Sequence, residues 1–197
     1  MSKFLLQSLA AAALAALVSL PAQAYLVTYY ATLTGAAEDP PNLSPATGMA
    51  AVVIDDENST MRVIANFSGL LGTVTVAHIH CCTAVAGVGN VGTATMIPSF
   101  PGFPAGVLSG SYDQTFDMSL GSSWRPGFVT GNGGTTATAF SALVLGLDNG
   151  KAYFNLHSAE FPGGEIRGFF AVSEPGSLTL AAAALGLAGA TLRRRSA

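Results

Sequence analysis

Between residues 26 and 172 the apolar side chains recur at every second position, and this alternation limits the chain more than any other feature. A period of two sends successive side chains to opposite faces of an extended backbone. Such segments must pleat into a sheet that buries one face. Eight segments carry the pattern: 26–33, 49–54, 61–67, 73–80, 111–118, 136–145, 151–157 and 165–172. They are rich in Val, Ile, Thr, Tyr and Phe, which suit a half-buried pleated surface. Turn formers separate them: Asp39-Pro40-Pro41, Asp55-Asp56-Glu57-Asn58, Gly131-Asn132-Gly133-Gly134, Asp148-Asn149-Gly150 and Pro162-Gly163-Gly164. No long stretch reads with period 3.6. The expectation is an all-β domain, an antiparallel β-sandwich of the Ig-like, Greek-key type. Pro98, Pro101 and Pro104 cannot donate to a ladder, so segment 97–110 is expected to be a loop capping one end.

The two ends of the 197-residue chain follow other rules. Lys3 precedes an unbroken apolar run over 9–18, Pro21 breaks it, and Ala22-Gln23-Ala24 supplies small residues before Tyr25. That order is the secretory signal pattern, with signal peptidase cutting between Ala24 and Tyr25. At the other end Ser173-Glu174-Pro175-Gly176 leads into an apolar run over 178–192, closed by Arg193, Arg194 and Arg195. Fifteen helical residues reach about 22 Å, short of the roughly 30 Å hydrocarbon core, but snorkelling arginines would let the segment lodge in a membrane transiently. The expected organisation is therefore 1–24 signal peptide, 25–172 β domain and 173–197 tail.

The Glu174-Pro175 pair, the short apolar helix and the arginine cluster resemble a PEP-CTERM sorting tail. The resemblance implies a Gram-negative bacterium and an exosortase that processes the protein near Glu174-Pro175. The destination implied is the cell surface, outer envelope or extracellular matrix. In the family the first motif position is usually Pro; here it is Ser173.

Residues 25–173 carry four basic side chains against ten acidic ones, a formal net of −6. An acidic domain without a Lys/Arg run repels phosphate backbones, which argues against a nucleic-acid partner. Matrix polysaccharide and surface proteins are the partners such a destination offers. No Gly-x-Ser-x-Gly elbow, phosphate loop or recognisable Ser/His/Asp set is present, and Asp55-Asp56-Glu57 reads as a solvated hairpin turn. The chain is not expected to be an enzyme; a metal-dependent redox activity is the one residual route. Trp124, Phe100 and Phe103 read as loop anchors rather than a carbohydrate platform.

Chemistry is concentrated in two motifs. In Ala77-His78-Ile79-His80-Cys81-Cys82 the strand period puts His78 and His80 on one face, with Cys82 joining them if the strand continues. In Tyr153-Phe154-Asn155-Leu156-His157 the same period groups Tyr153, Asn155 and His157. After Pro162-Gly163-Gly164 it groups Glu165 with Arg167. Three readings stay open. In the first, His78, His80 and His157 bind copper or zinc, with Cys82 or Glu165 completing the set. Asn155, Glu165 and Arg167 would then be outer partners. In the second, Glu165 and Arg167 form a salt bridge and the histidines satisfy backbone groups. In the third, Arg167 receives the carboxylate of a partner. Cys81 and Cys82 allow a strained disulfide between neighbours, an intermolecular bridge or soft metal ligation.

The same residues carry a second resemblance. His78-Ile79-His80, Asn155-Leu156-His157 and Gly164-Glu165-Ile166-Arg167-Gly168, preceded by Gly35-Ala36-Ala37-Glu38 and Pro40-Pro41, resemble the CHRD domain over about residues 26–172. The resemblance implies a β-sandwich in an extracellular setting, with no established enzymatic activity. The function expected is that of an exported structural or binding protein. The alternative is a copper- or zinc-binding protein using His78, His80 and His157.

Overall fold

A computed structural model describes residues 26–172. The cleavage site at Ala24 and Tyr25, the Glu174-Pro175 pair and Arg193, Arg194 and Arg195 lie outside the described residues, as does the apolar run 178–192. No helix among the described residues is long and apolar enough to cross a membrane.

Seven of the eight expected segments form strands, and 165–172 divides into two: β1 (Leu26–Thr34), β2 (Thr47–Asp55), β3 (Thr60–Ser68), β4 (Val74–His80), β5 (Gly110–Asp117), β6 (Tyr153–Ser158), β7 (Ile166–Phe169) and β8 (Ala171–Val172). Every pairing is antiparallel, and the strands join one path in the order β4-β6-β7-β1-β2-β3-β5, with β8 also on β1. The domain is thus mostly β, built on one curled, half-barrel sheet. The all-β, antiparallel expectation is met at this level, and the strands form one path because β7 pairs with both β6 and β1 and bridges the two halves.

Two kinds of strand result. On β1, β2 and β3 burial alternates residue by residue: Tyr29, Ala31, Leu33, Val52, Ile54, Met61 and Val63 fill the core while Tyr30, Met49 and Arg62 face water. On β6 only His157 is not fully buried. The core takes its Phe154 and Leu156, and segments from elsewhere in the chain cover the opposite face. That covered face, at the β4–β6–β7 end, holds the polar motifs.

Segment 136–145, expected as a strand, is helical. It lies in α2 (Thr136–Asp148), preceded by the short helix α1 (Pro126–Gly131). Two signals oppose the strand reading. Thr135 caps the helix and Thr138 returns the bond, a reciprocal capping box. The buried residues Ala139, Phe140, Leu143, Gly146 and Leu147 recur at helical spacing, not at every second position. Phe128 of α1 and Phe140, Leu143 and Leu147 of α2 join the single core.

Segment 97–110 does not cap an end. It runs beside β4 and satisfies that strand's outer edge: Phe100 N donates to Ala77 O, Gly106 N to Val74 O, and Val74 N to Val107 O. An edge covered in this way cannot template another chain. Phe100 and Phe103 are buried, as is Trp124, whose indole N–H donates to Met118 O at 2.9 Å. These aromatics anchor loops and form no exposed platform.

Candidate metal centre

Strand register assembles the site. β4 and β6 pair so that Val76 opposes His157, His78 opposes Asn155 and His80 opposes Tyr153. All six share the face away from Ala77, Ile79, Phe154 and Leu156, which are core. His157 is therefore the diagonal neighbour of His78, within reach of a long side chain across an antiparallel pair. One ring nitrogen from each of His78, His80 and His157 falls in a group whose members all lie within 4.8 Å of one another. The ring centroids are 5.5 Å (His78–His157), 5.8 Å (His78–His80) and 6.3 Å (His80–His157) apart.

Backbone carbonyls select the tautomers. His78 Nε2 donates to Pro98 O at 2.5 Å, His80 Nδ1 to Val91 O at 2.8 Å and His157 Nδ1 to Pro162 O at 2.9 Å. A carbonyl only accepts, so the proton of each neutral ring sits on that nitrogen and the other nitrogen carries a lone pair. Burial supplies the neutrality. It pushes His78, His80 and His157 below the usual imidazole range, His80 to about 4, against the opposing pull of each carbonyl bond. The lone-pair nitrogens, His78 Nδ1, His80 Nε2 and His157 Nε2, are buried without a partner. A buried polar atom left unpaired is costly, and three together mark a site. Three donors about 2.0–2.1 Å from one ion stand at most about 3.6 Å from one another, so rings whose ligand atoms lie within 4.8 Å would have to close by roughly 1 Å to hold one.

Beside the histidines lies a second polar group. Tyr153 stacks on His80 (centroids 4.7 Å apart, planes 6° apart) and its hydroxyl meets the backbone of Val91. The Arg167 guanidinium lies over the Tyr153 ring, 4.9 Å from its centroid. Its Nη1 donates to Asn90 Oδ1 at 2.6 Å and its Nε to Ala37 O. Glu38 approaches Arg167 at 3.9 Å and accepts from Asn155 Nδ2 at 3.3 Å. Despite that arginine, burial dominates and pushes the Glu38 carboxyl up to about 7, because Arg167 spends its donors on carbonyls and Asn90.

Three expectations are corrected here. The Glu165–Arg167 salt bridge is not made: Arg167 lies against Glu38 instead. Glu165 is fully buried and accepts from Ser44 Oγ at 2.7 Å, Leu71 N at 2.6 Å and Gly72 N at 3.3 Å, so it is no ligand of the histidine site. Burial raises its pKa, but these bonds and Ser158 together outweigh burial and hold it below the ordinary range. Cys82 does not ligate either. It is joined to Cys81 in a disulfide, with its sulfur 3.5 Å from Ala142 O of α2. This also removes the intermolecular bridge. Glu38 is the residue of this group that sequence reasoning misses. Its one signal in the sequence was its place in Gly35-Ala36-Ala37-Glu38, and nothing local tied it to Arg167, 129 positions later.

The CHRD domain family model matches residues 29–170, nearly the whole described region. The chain belongs to the CHRD domain family. The match spans β1 to β7 and so contains every residue of the histidine site and of the Glu38–Arg167 group. CHRD is a non-enzymatic domain family. No curated protein and no solved structure matches the chain.

Proposed function

We propose that this CHRD protein is an exported, non-catalytic metal-binding component of the bacterial cell envelope or extracellular matrix, with His78, His80 and His157 as its ligands. One observation carries the reading: three rings converge, each with one nitrogen buried without a partner and the opposite nitrogen held by a carbonyl. Ligand histidines commonly donate their second N–H in this way, which fixes ring and tautomer. A structural role alone leaves the three lone pairs unexplained. Imidazole nitrogens suit copper or zinc.

The address follows from the ends of the sequence. A signal peptidase site at Ala24-Tyr25 and a PEP-CTERM-like tail support export and exosortase processing. Mass spectrometry of envelope and medium fractions tests this half. Mature protein that keeps Arg193–Arg195 throughout would sink the processing claim.

Elemental analysis of the exported protein tests the metal half, beside a His78→Ala/His80→Ala double variant. About one equivalent of copper or zinc is expected in the parent and none in the variant. No metal after loading with either ion would return the histidines to a purely structural network.

A further inference from the structure

Resting on the histidine reading above, we infer that the site is built for a monovalent d10 ion, Cu(I), and discriminates against Zn(II). Three observations carry this. The first is donor count. Among the described residues the group holds three imidazoles and no fourth ligand, since Cys82 is in a disulfide and Glu165 is engaged by Ser44, Leu71 and Gly72. Structural zinc is almost always four-coordinate. Three neutral nitrogens are a complete shell for Cu(I), which accepts a trigonal set.

The second is enclosure. Each lone-pair nitrogen exposes less than 1 Å². A zinc site with three protein ligands completes its shell with water at an open position. This site presents no such opening at its donor atoms.

The third is charge. No carboxylate belongs to the group, so the ligands cannot neutralise an ion. The nearest group of charged side chains, Arg167 against Glu38, is made of two opposite charges that already face each other. A divalent ion would leave a buried charge of two that its ligands do not neutralise, and a monovalent ion leaves one. Buried charge without a counter-ion is among the costliest things a fold can hold, and the cost rises steeply with charge. Binding is ligation only: Cu(I) enters, no proton leaves the three neutral rings, and no electron moves.

The test titrates the exported protein with Cu(I) under anaerobic conditions against a chromogenic Cu(I) chelator, and in parallel with Zn(II) against a fluorescent zinc chelator. The expected result is one equivalent of Cu(I), with Zn(II) held at least about a hundredfold more weakly. X-ray absorption of the copper-loaded protein should show a three-nitrogen shell. Equal or tighter retention of Zn(II), or a four-coordinate copper shell, would overturn the inference and leave the metal reading standing. Retention of neither ion would overturn both. His78→Gln and His157→Gln should each weaken Cu(I) by about a hundredfold while keeping the β-sheet circular dichroism of the parent. A folded variant that still binds stoichiometric Cu(I) with parental affinity would also overturn it.

Discussion

Glu38 shows how far burial can oppose a formal ion pair. Its carboxyl lies 3.9 Å from Arg167 and yet titrates near 7, above the ordinary 4.5. The groups facing it are Arg167, Asn155 and Tyr153 across the sheet and Asp39 beside it. The sign follows from linkage. A carboxyl whose folded pKa is raised contributes its stability fully below pH 4.5 and loses it as pH climbs through 7. Stability should fall across that window by at most about 3 kcal/mol from this group. Glu38→Gln should flatten the fall, read as urea midpoints at pH 5 and 7.5. An unchanged slope would mean that Arg167 and the hydrogen bonds offset burial and leave the folded pKa at its ordinary value. The site histidines illustrate what one strand shows by itself: His78-Ile79-His80 announces two donors on one face at a spacing of two. The tautomers were not legible, because Pro98, Val91 and Pro162 are placed by loop geometry and not by neighbouring residues in sequence.

At the scale of elements, α2 is where the alternation misleads. Thr136-Ala137-Thr138-Ala139-Phe140 looks β-like because Thr favours strands and small residues alternate. The cap at Thr135 and the apolar stripe ending at Leu147 decide otherwise. Leu143 is fully buried in the core, so Leu143→Ala should cost about 2–5 kcal/mol by denaturant melting. Gly146 makes a finer test. A Cβ there would stand 2.5 Å from Cys82 Sγ and closer to Cys81 Sγ. An alanine in mid-helix normally gains about 0.5–1 kcal/mol over glycine. Here Gly146→Ala should destabilise instead, and the loss should shrink in a Cys81→Ala/Cys82→Ala background. Equal losses in both backgrounds would show that the disulfide is not what holds position 146 to glycine. The 97–110 loop shares a lesson with α2. Its prolines rightly excluded a central strand, but only the exposed edge of β4 gave its carbonyl and N–H groups somewhere to go.

For the whole molecule, the histidine site joins β4 to β6 across the end of the sheet, so an ion held there should act as a cross-link of the fold. A ligand that binds only the native state stabilises it by about 2.7 kcal/mol at a hundred times its Kd. For a domain of this size that is a rise in Tm of about 5–10 °C. Calorimetry of the protein with Cu(I), then with excess chelator, should show the rise and its reversal. A Tm that ignores both additions would mean that no ion couples to folding.

By itself the sequence determined the β character, seven of the eight strands, the pairing of His78 with His80 on one face, and the family. Each of these is written in local alternation or contiguous motifs, and short-range sterics enforce both. Tertiary structure decided the rest. The single curled path, the arrival of His157 beside a strand some 80 residues earlier, the Glu38–Arg167 contact and the engagement of Glu165 all depend on register between distant strands. Register is set by burying one continuous core, a property of the closed sheet that no single segment carries.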